Sequence, residues 1–317
     1  MKKVVLCPLS FVLCFGGNNL SDFSMRCCLR AVMFFAFCLL PFAFAKAQNL
    51  PSVLPQTVGM NAARLNQIDA LVAADIADKK LPGAVVLVGH KGKIVFRKAY
   101  GNRSLVPTIE KMTVDTIFDV ASLTKPIATA TSVMILIEQG KLRLNDTVGR
   151  FIPEIQDENA KRVTIQQLLT HVSGYAPDFD LREKWTGREG MLQALYKEKL
   201  RSAPGTRFVY SDIGFIVLGE IVYRNSGEVL HRFPGFSHFA SYELFSELRL
   251  KNTFFIDNDI SERNISIEQF VKNEDKIPQI APTENIKGQQ NYLGSKFEGD
   301  EKTGNQILRG LVHDPTS

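Results

Sequence analysis

Phe118-Asp119-Val120-Ala121-Ser122-Leu123-Thr124-Lys125 places a serine three residues before a lysine, where an apolar helix begins. Two readings are open. Ser122 is either a polar residue opening a helix, or a nucleophile with its base one turn away. Residues three apart on a helix project from one face. A desolvated ammonium gives up its proton more easily, so Lys125 in such a place can act as the base. A serine at the start of a helix also has free backbone N–H groups and the positive dipole end aimed at developing negative charge. Ser and Lys are common residues, and the pair alone decides nothing.

The flanking sequence gives an order of elements. Upstream, Leu65, Ile68, Leu71, Val72 and Ile76 recur at helical spacing between Gly59 and Lys79. Residues 82–101, PGAVVLVGHKGKIVFRKAYG, hold two β-branched runs around Gly89-His90-Lys91-Gly92-Lys93, the pattern of a hairpin. Downstream, Ile127 to Ile137 reads as a buried helix closed by Gly140. Thr164-Ile165-Gln166-Gln167 has the form of a capping box opening a short helix into LLTHVSGY, residues 168–175. Residues 213–223, IGFIVLGEIVY, predict a second buried helix ending near Gly227, with Asp212 as its N-cap. Residues 284–306 are polar and Gly-rich and read as a surface excursion. Helices segregated from a hairpin, without strand–helix alternation, favour an α+β fold.

Composition fits a globular domain preceded by a leader. Of the 317 residues 45% are apolar and 22% charged, as a packed core requires. The formal charge of +5 is mostly a property of residues 1–47, where Lys2, Lys3, Arg26, Arg30 and Lys46 face only Asp22. That leaves 33 of the 38 basic and 32 of the 33 acidic side chains for the remainder, a balance that gives nucleic-acid binding no support. Cys7, Cys14, Cys27, Cys28 and Cys38 also lie in this leader. A body without cysteine holds no disulfide or thiolate metal site and suits an oxidising compartment without needing one. The His residues show no metal-ligand spacing, so neither a metal nor another cofactor is expected.

Residues 31–45, AVMFFAFCLLPFAFA, follow Arg26 and Arg30 and precede the small-x-small pattern Ala45-Lys46-Ala47. The expectation is a signal peptide over 1–47 and an exported, periplasmic protein. An uncleaved membrane anchor is the alternative, although a span needs ~20 apolar residues. A second apolar stretch at 1–16 makes Met25 an alternative start. Residues 48–58 read as a linker and 59–317 as the domain.

On the far side of Ser122, Pro204-Gly205-Thr206-Arg207-Phe208-Val209-Tyr210-Ser211-Asp212 sets a tyrosine on a loop between two apolar segments. A phenol there can pass a proton between nucleophile, lysine and leaving group. With SLTK at 122–125, LLTHVSGY at 168–175, APGTRFVYSDIGFIVLGEI at 203–221, LRLKNTFF at 248–255, IAPTE at 280–284 and RGLVHD at 309–314, the chain resembles the serine β-lactamase-like hydrolases. The relevant branch holds class C β-lactamases, D-alanyl-D-alanine carboxypeptidases and related esterases.

The resemblance implies an antiparallel sheet backed by helices, plus an all-helical region. It implies Ser122 as nucleophile, Lys125 as its base partner and Tyr210 as general base or proton relay. Asp212 stands in the slot of an asparagine, where an ionised acid accepts hydrogen bonds but cannot donate. The backbone N–H of Ser122 is implied as half of the oxyanion hole. His171, in LLTHVSGY, reads as a structural hydrogen-bonding residue rather than a base.

Relatives carry a third motif, K-T-G or H-x-G, on a strand beyond the RGLVHD segment. Lys302-Thr303-Gly304 precedes that segment and has flanks unlike a strand, so it reads as a solvated loop. The chain is therefore expected to lack its C-terminal strands and, expressed alone, to fold poorly and hydrolyse little. Two functions remain: an exported acyl-serine hydrolase acting on a D-alanyl peptide, β-lactam or ester carbonyl, or a non-catalytic remnant or penicillin-binding module. The expected partner is a small-molecule or peptidoglycan-peptide substrate, with membrane contact only through an uncleaved leader.

Overall fold

The computed structural model describes residues 50–106, 108–180, 185, 187–226, 235–255, 279, 281, 284–285 and 307–308. The leader, Lys302-Thr303-Gly304 and the RGLVHD segment lie outside the described residues.

Helix α1 (Ala62–Ala77) opens on Asn61, whose side chain accepts from the Arg64 N–H. The predicted hairpin forms from β1 (Gly83–His90) and β2 (Lys93–Ser104), paired antiparallel with an irregularity at Val88/Gly89. Its tight turn puts Lys91 at φ 48 and Gly92 at φ 69, the pair of positive dihedrals that matches the twist of the strands. At the other end Gly83 faces Gly101, and a Cβ on Gly83 would sit 2.5 Å from the carbonyl oxygens of Tyr100 and Asn102. Only glycine allows that approach. Strand β3 (Glu110–Lys111) pairs with the far end of β2. The expected linker belongs to this layer: Pro51 and Val53 bond to Ile94, residues 55–58 form a single 3₁₀ turn, and Val58 is buried with Leu65 and Val95.

The helical part is built around one element. Helix α2 (Thr131–Glu138) is followed by three short helices, α3 (Val148–Phe151), α4 (Glu158–Lys161) and α5 (Ile165–Leu169). After α6 (Gly187–Lys197) comes α7 (Asp212–Asn225), which packs against α2, α3, α5 and α8 (Phe236–Ala240). Ile213, Val217, Leu218, Ile221 and Val222 of α7 lie in the main core with Val133, Leu136 and Leu168. The Thr164 capping box is present: Gln167 N–H donates to Thr164 Oγ1 at 3.2 Å, and Thr164 N–H donates to Gln167 Oε1 at 3.0 Å. An antiparallel sheet beside a helical body is the α+β architecture expected.

Two expectations are corrected. The helix over 127–137 forms in two pieces, a π turn at Lys125–Ala130 and then α2, and it is buried on one side only. Val133 and Leu136 are fully buried, whereas Ile127 and Met134 are 41% and 50% exposed. A continuous apolar run hides the period by which a helix chooses its buried face. The wide turn follows from local chemistry, since Pro126 has no N–H and Thr131 Oγ1 donates to the Pro126 carbonyl at 3.0 Å. The second correction concerns α7, whose N-cap is Ser211 rather than Asp212. Ser211 Oγ accepts from Gly214 N–H at 3.1 Å and donates to the Ala176 carbonyl at 2.6 Å.

The ends of the polar 284–306 stretch come together, with β4 (Glu284–Asn285) paired antiparallel to β5 (Ile307–Leu308). Residues 286–306 lie outside the described residues. Ile117, five residues before Ser122, exchanges backbone hydrogen bonds with Gln279 and Ala281.

Candidate active site

Ser122 lies in the 3₁₀ turn Ala121–Leu123, directly before the π turn that starts at Lys125. Ala121 has φ 44, a left-handed conformation that costs an L-residue with a Cβ roughly 1–2 kcal/mol. The kink is held by the Asp119 side chain, which accepts from Ala121 N–H at 2.8 Å. A non-glycine residue forced into this region is the kind of strain found at functional sites.

The four residues singled out from the sequence converge. Lys125 Nζ donates to Ser122 Oγ at 3.2 Å and lies 2.6 Å from Asp212 Oδ1. The second contact is held by charge, because no donor is well aligned on Oδ1. Lys125 Nζ also sits 5.1 Å from the centroid of the Tyr210 ring. The side chains of Lys125 and Asp212 are 12% and 24% exposed, and Tyr210 is accessible on one side. Asp212, released from capping by Ser211, is thus free to face the lysine.

Desolvation was expected to ease loss of the Lys125 proton. Burial does act that way and is the largest single influence. The lysine's partners Asp212 and Tyr210, with the charge of Asp212, outweigh it, and the ammonium is held above its ordinary 10.5. In the free protein the lysine is charged and donates to the serine.

His171 stands behind Tyr210. Its ring lies 4.6 Å from that of Tyr210 and 5.0 Å from that of Phe215, with Phe208 edge-on at 5.9 Å. Its Nδ1 accepts from Ser211 N–H at 3.1 Å, which agrees with the hydrogen-bonding role read from the sequence. Burial, then the Lys125 charge, pull the imidazole below its ordinary 6.5, and Asp212 acts in the opposite direction.

Ser122, Lys125, Tyr210 and His171 line one open cleft of about 520 Å³ with Val120, Leu123, Leu169 and Phe215. A cleft with apolar walls and few convergent polar groups is the usual form of a small-molecule site. Among the described residues no group of three His, Cys, Asp or Glu side chains is placed to hold a metal ion.

Trp185 lies edge-on to Phe179 at 5.7 Å, a packing role. Sequence reasoning missed the ion pairs of Glu220 with Arg188 and Arg224. The available signal was an acid inside an apolar helix with an arginine four residues on.

A beta-lactamase family profile matches residues 68–264. N-acetylmuramyl-L-alanine amidase of Bacillus subtilis (strain 168) is 31% identical over 219 residues, covering 63% of this chain and 48% of that protein. A candidate D-alanyl-D-alanine carboxypeptidase of Escherichia coli (strain K12) is 29% identical over 230 residues, covering 67% and 51%. A crystal structure of a class C β-lactamase superposes with a TM-score of 0.57 at 24% identity, over 72% of this chain and 57% of that one, a likeness of fold. The family match extends over most of the described α+β domain. The chain belongs to the beta-lactamase family. It spans about half the length of the curated relatives it matches.

Proposed function

We propose that this chain is an exported serine acyl-hydrolase that works through an acyl-Ser122 intermediate. The observation that carries the reading is the position of Lys125 Nζ, in contact with Ser122 Oγ and with the Asp212 carboxylate at once. Substrate entering the cleft displaces water from a pair that is already largely buried. Removing solvent adds to the desolvation that already acts against the Lys125 charge, so the ammonium gives up its proton to the departing solvent. Lys125 is then able to take the Ser122 proton as Oγ forms a bond to the carbonyl carbon.

Collapse of the tetrahedral adduct breaks the bond to the leaving group, which leaves with that proton. Tyr210, whose side chain interacts with Lys125, passes it on. Water then attacks the acyl-serine ester, releases the acid and restores the Ser122 hydroxyl. A serine at the start of a helical turn has backbone N–H groups toward the oxyanion.

The substrate class is a D-alanyl peptide, a β-lactam or an ester. A peptidase or esterase is favoured over a dedicated β-lactamase, with support from the cell-wall names carried by two relatives. Export through the leader suits a periplasmic substrate. Turnover of a D-alanyl-D-alanine peptide, a chromogenic cephalosporin and a p-nitrophenyl ester, each with wild type and Ser122→Ala, tests the reading. Ser122-dependent turnover of any one supports it. Stable labelling by a fluorescent penicillin without turnover would favour a binding module instead.

A further inference from the structure

We infer that His171 is a positioning residue that clamps Tyr210 against Lys125, and that protonating its ring opens the clamp. The inference rests on the proposed acyl-serine reaction. His171 reaches the tyrosine from both sides in sequence. Its backbone carbonyl accepts from Val209 N–H at 2.8 Å, and its Nδ1 accepts from Ser211 N–H at 3.1 Å. Tyr210 is therefore bracketed by two hydrogen bonds to one residue, while the imidazole lies against its ring at 4.6 Å with 30° between the planes. His171 itself has φ 56, a left-handed conformation that turns its side chain toward the loop, and its N–H is tied to the Leu168 carbonyl at 3.1 Å.

An N–H aimed at Nδ1 requires a lone pair there, so the ring is neutral with its proton on Nε2. A second proton would turn Nδ1 into a donor facing the Ser211 donor. The titratable groups that face the ring are Lys125 from the π turn, Tyr210 from the loop entering α7 and Asp212 from the first turn of α7. Its other neighbours, Phe208, Phe215 and Leu169, do not titrate. Burial and Lys125 oppose the added charge more than Asp212 favours it. The clamp is closed above pH 6.5 and opens as the pH falls further, when the Ser211 N–H loses its acceptor and Tyr210 its support.

The variant pair His171→Asn and His171→Phe separates this role from mere packing. Asn tolerates the left-handed backbone, keeps an acceptor for Ser211 and does not titrate. Phe keeps the ring and removes the acceptor. The readout is the rate of Ser122 labelling by a fluorophosphonate between pH 4.5 and 8, each protein normalised to its own plateau. The wild type is expected to lose rate with a midpoint below 6.5, and His171→Asn to lack that acid limb. His171→Phe is expected to have a plateau roughly ten-fold lower, the scale of one buried donor left unpaired. The same acid midpoint in wild type and His171→Asn would overturn the inference.

A second readout does not depend on acylation. In ¹⁵N-labelled Ser122→Ala protein, the Ser211 amide and the Tyr210 ring resonances are expected to move together with the His171 imidazole, below pH 6.5. Resonances that stay still through the imidazole titration would equally overturn it. Labelling of Ser122→Ala as fast as wild type would instead refute the acyl-serine reading and leave the resonances to decide the clamp.

Discussion

Lys125 Nζ lies 2.6 Å from Asp212 Oδ1, so the residue one turn after the serine is held by the residue two places after the tyrosine. Through this contact the two sequence segments that looked catalytic become one site.

Replacing Asp212 by Asn tests what the carboxylate does. Burial of Lys125 remains, but the carboxylate that offsets it is gone, so the ammonium pKa is expected to fall from its raised value. The sign for stability follows. A lysine held above 10.5 contributes its stabilisation in full below pH 10.5 and loses it as the pH rises through the folded value. Titration of the Lys125 side-chain ¹⁵N signal should show a lower midpoint in Asp212→Asn, with a smaller loss of thermal stability between neutral pH and strongly alkaline pH. An unchanged midpoint would mean that Asp212 does not set the lysine charge.

Lys125→Ala removes the partner that touches Ser122 Oγ. Losing a proton-transfer group slows acylation by about 10²–10⁴-fold. Pre-steady-state labelling measures this directly, with circular dichroism confirming that the variant is folded.

Glu220 is nearly inaccessible and pairs with both Arg188 and Arg224, while Arg224 also reaches Glu154, the Phe151 carbonyl and the Tyr196 hydroxyl. Glu220→Ala is expected to cost about 3 kcal/mol, the low end for a broken buried pair, because Arg188 is half exposed and Arg224 keeps Glu154. Urea denaturation checks the value. A loss under 1 kcal/mol would show that the network is incidental to the core.

Ala121→Gly relieves the left-handed backbone before Ser122. Ala loses roughly 1–2 kcal/mol there, and the extra freedom of glycine when unfolded takes back about 0.5–1 kcal/mol. A gain of about 0.5–1 kcal/mol in thermal unfolding is expected. A destabilised variant would mean that the Ala121 methyl is more important for packing than its backbone is strained.

Much of this was legible in the sequence because the signals were local. The hairpin turn at Lys91-Gly92, the Thr164–Gln167 capping box and the glycine after α2 each depend on a few adjacent residues. Ser122, Lys125 and Tyr210 were singled out by spacing and by motif order, and the structure brings them together. Asp212 was singled out too, yet with a capping role that Ser211 fills, since two adjacent cap formers cannot be told apart until one finds a distant partner. The exposed side of the Ile127–Ile137 run and the clamp between His171 and the loop at 209–211 were illegible for the same reason. Both depend on contacts far apart in sequence.

The most direct test of the central claim is to map the adduct left by a fluorophosphonate on the intact protein. Tryptic peptides analysed by mass spectrometry are predicted to carry one adduct, on Ser122, absent from Ser122→Ala and formed more slowly in Lys125→Ala. A folded protein modified at another residue, or labelled equally well without Ser122, would contradict the account.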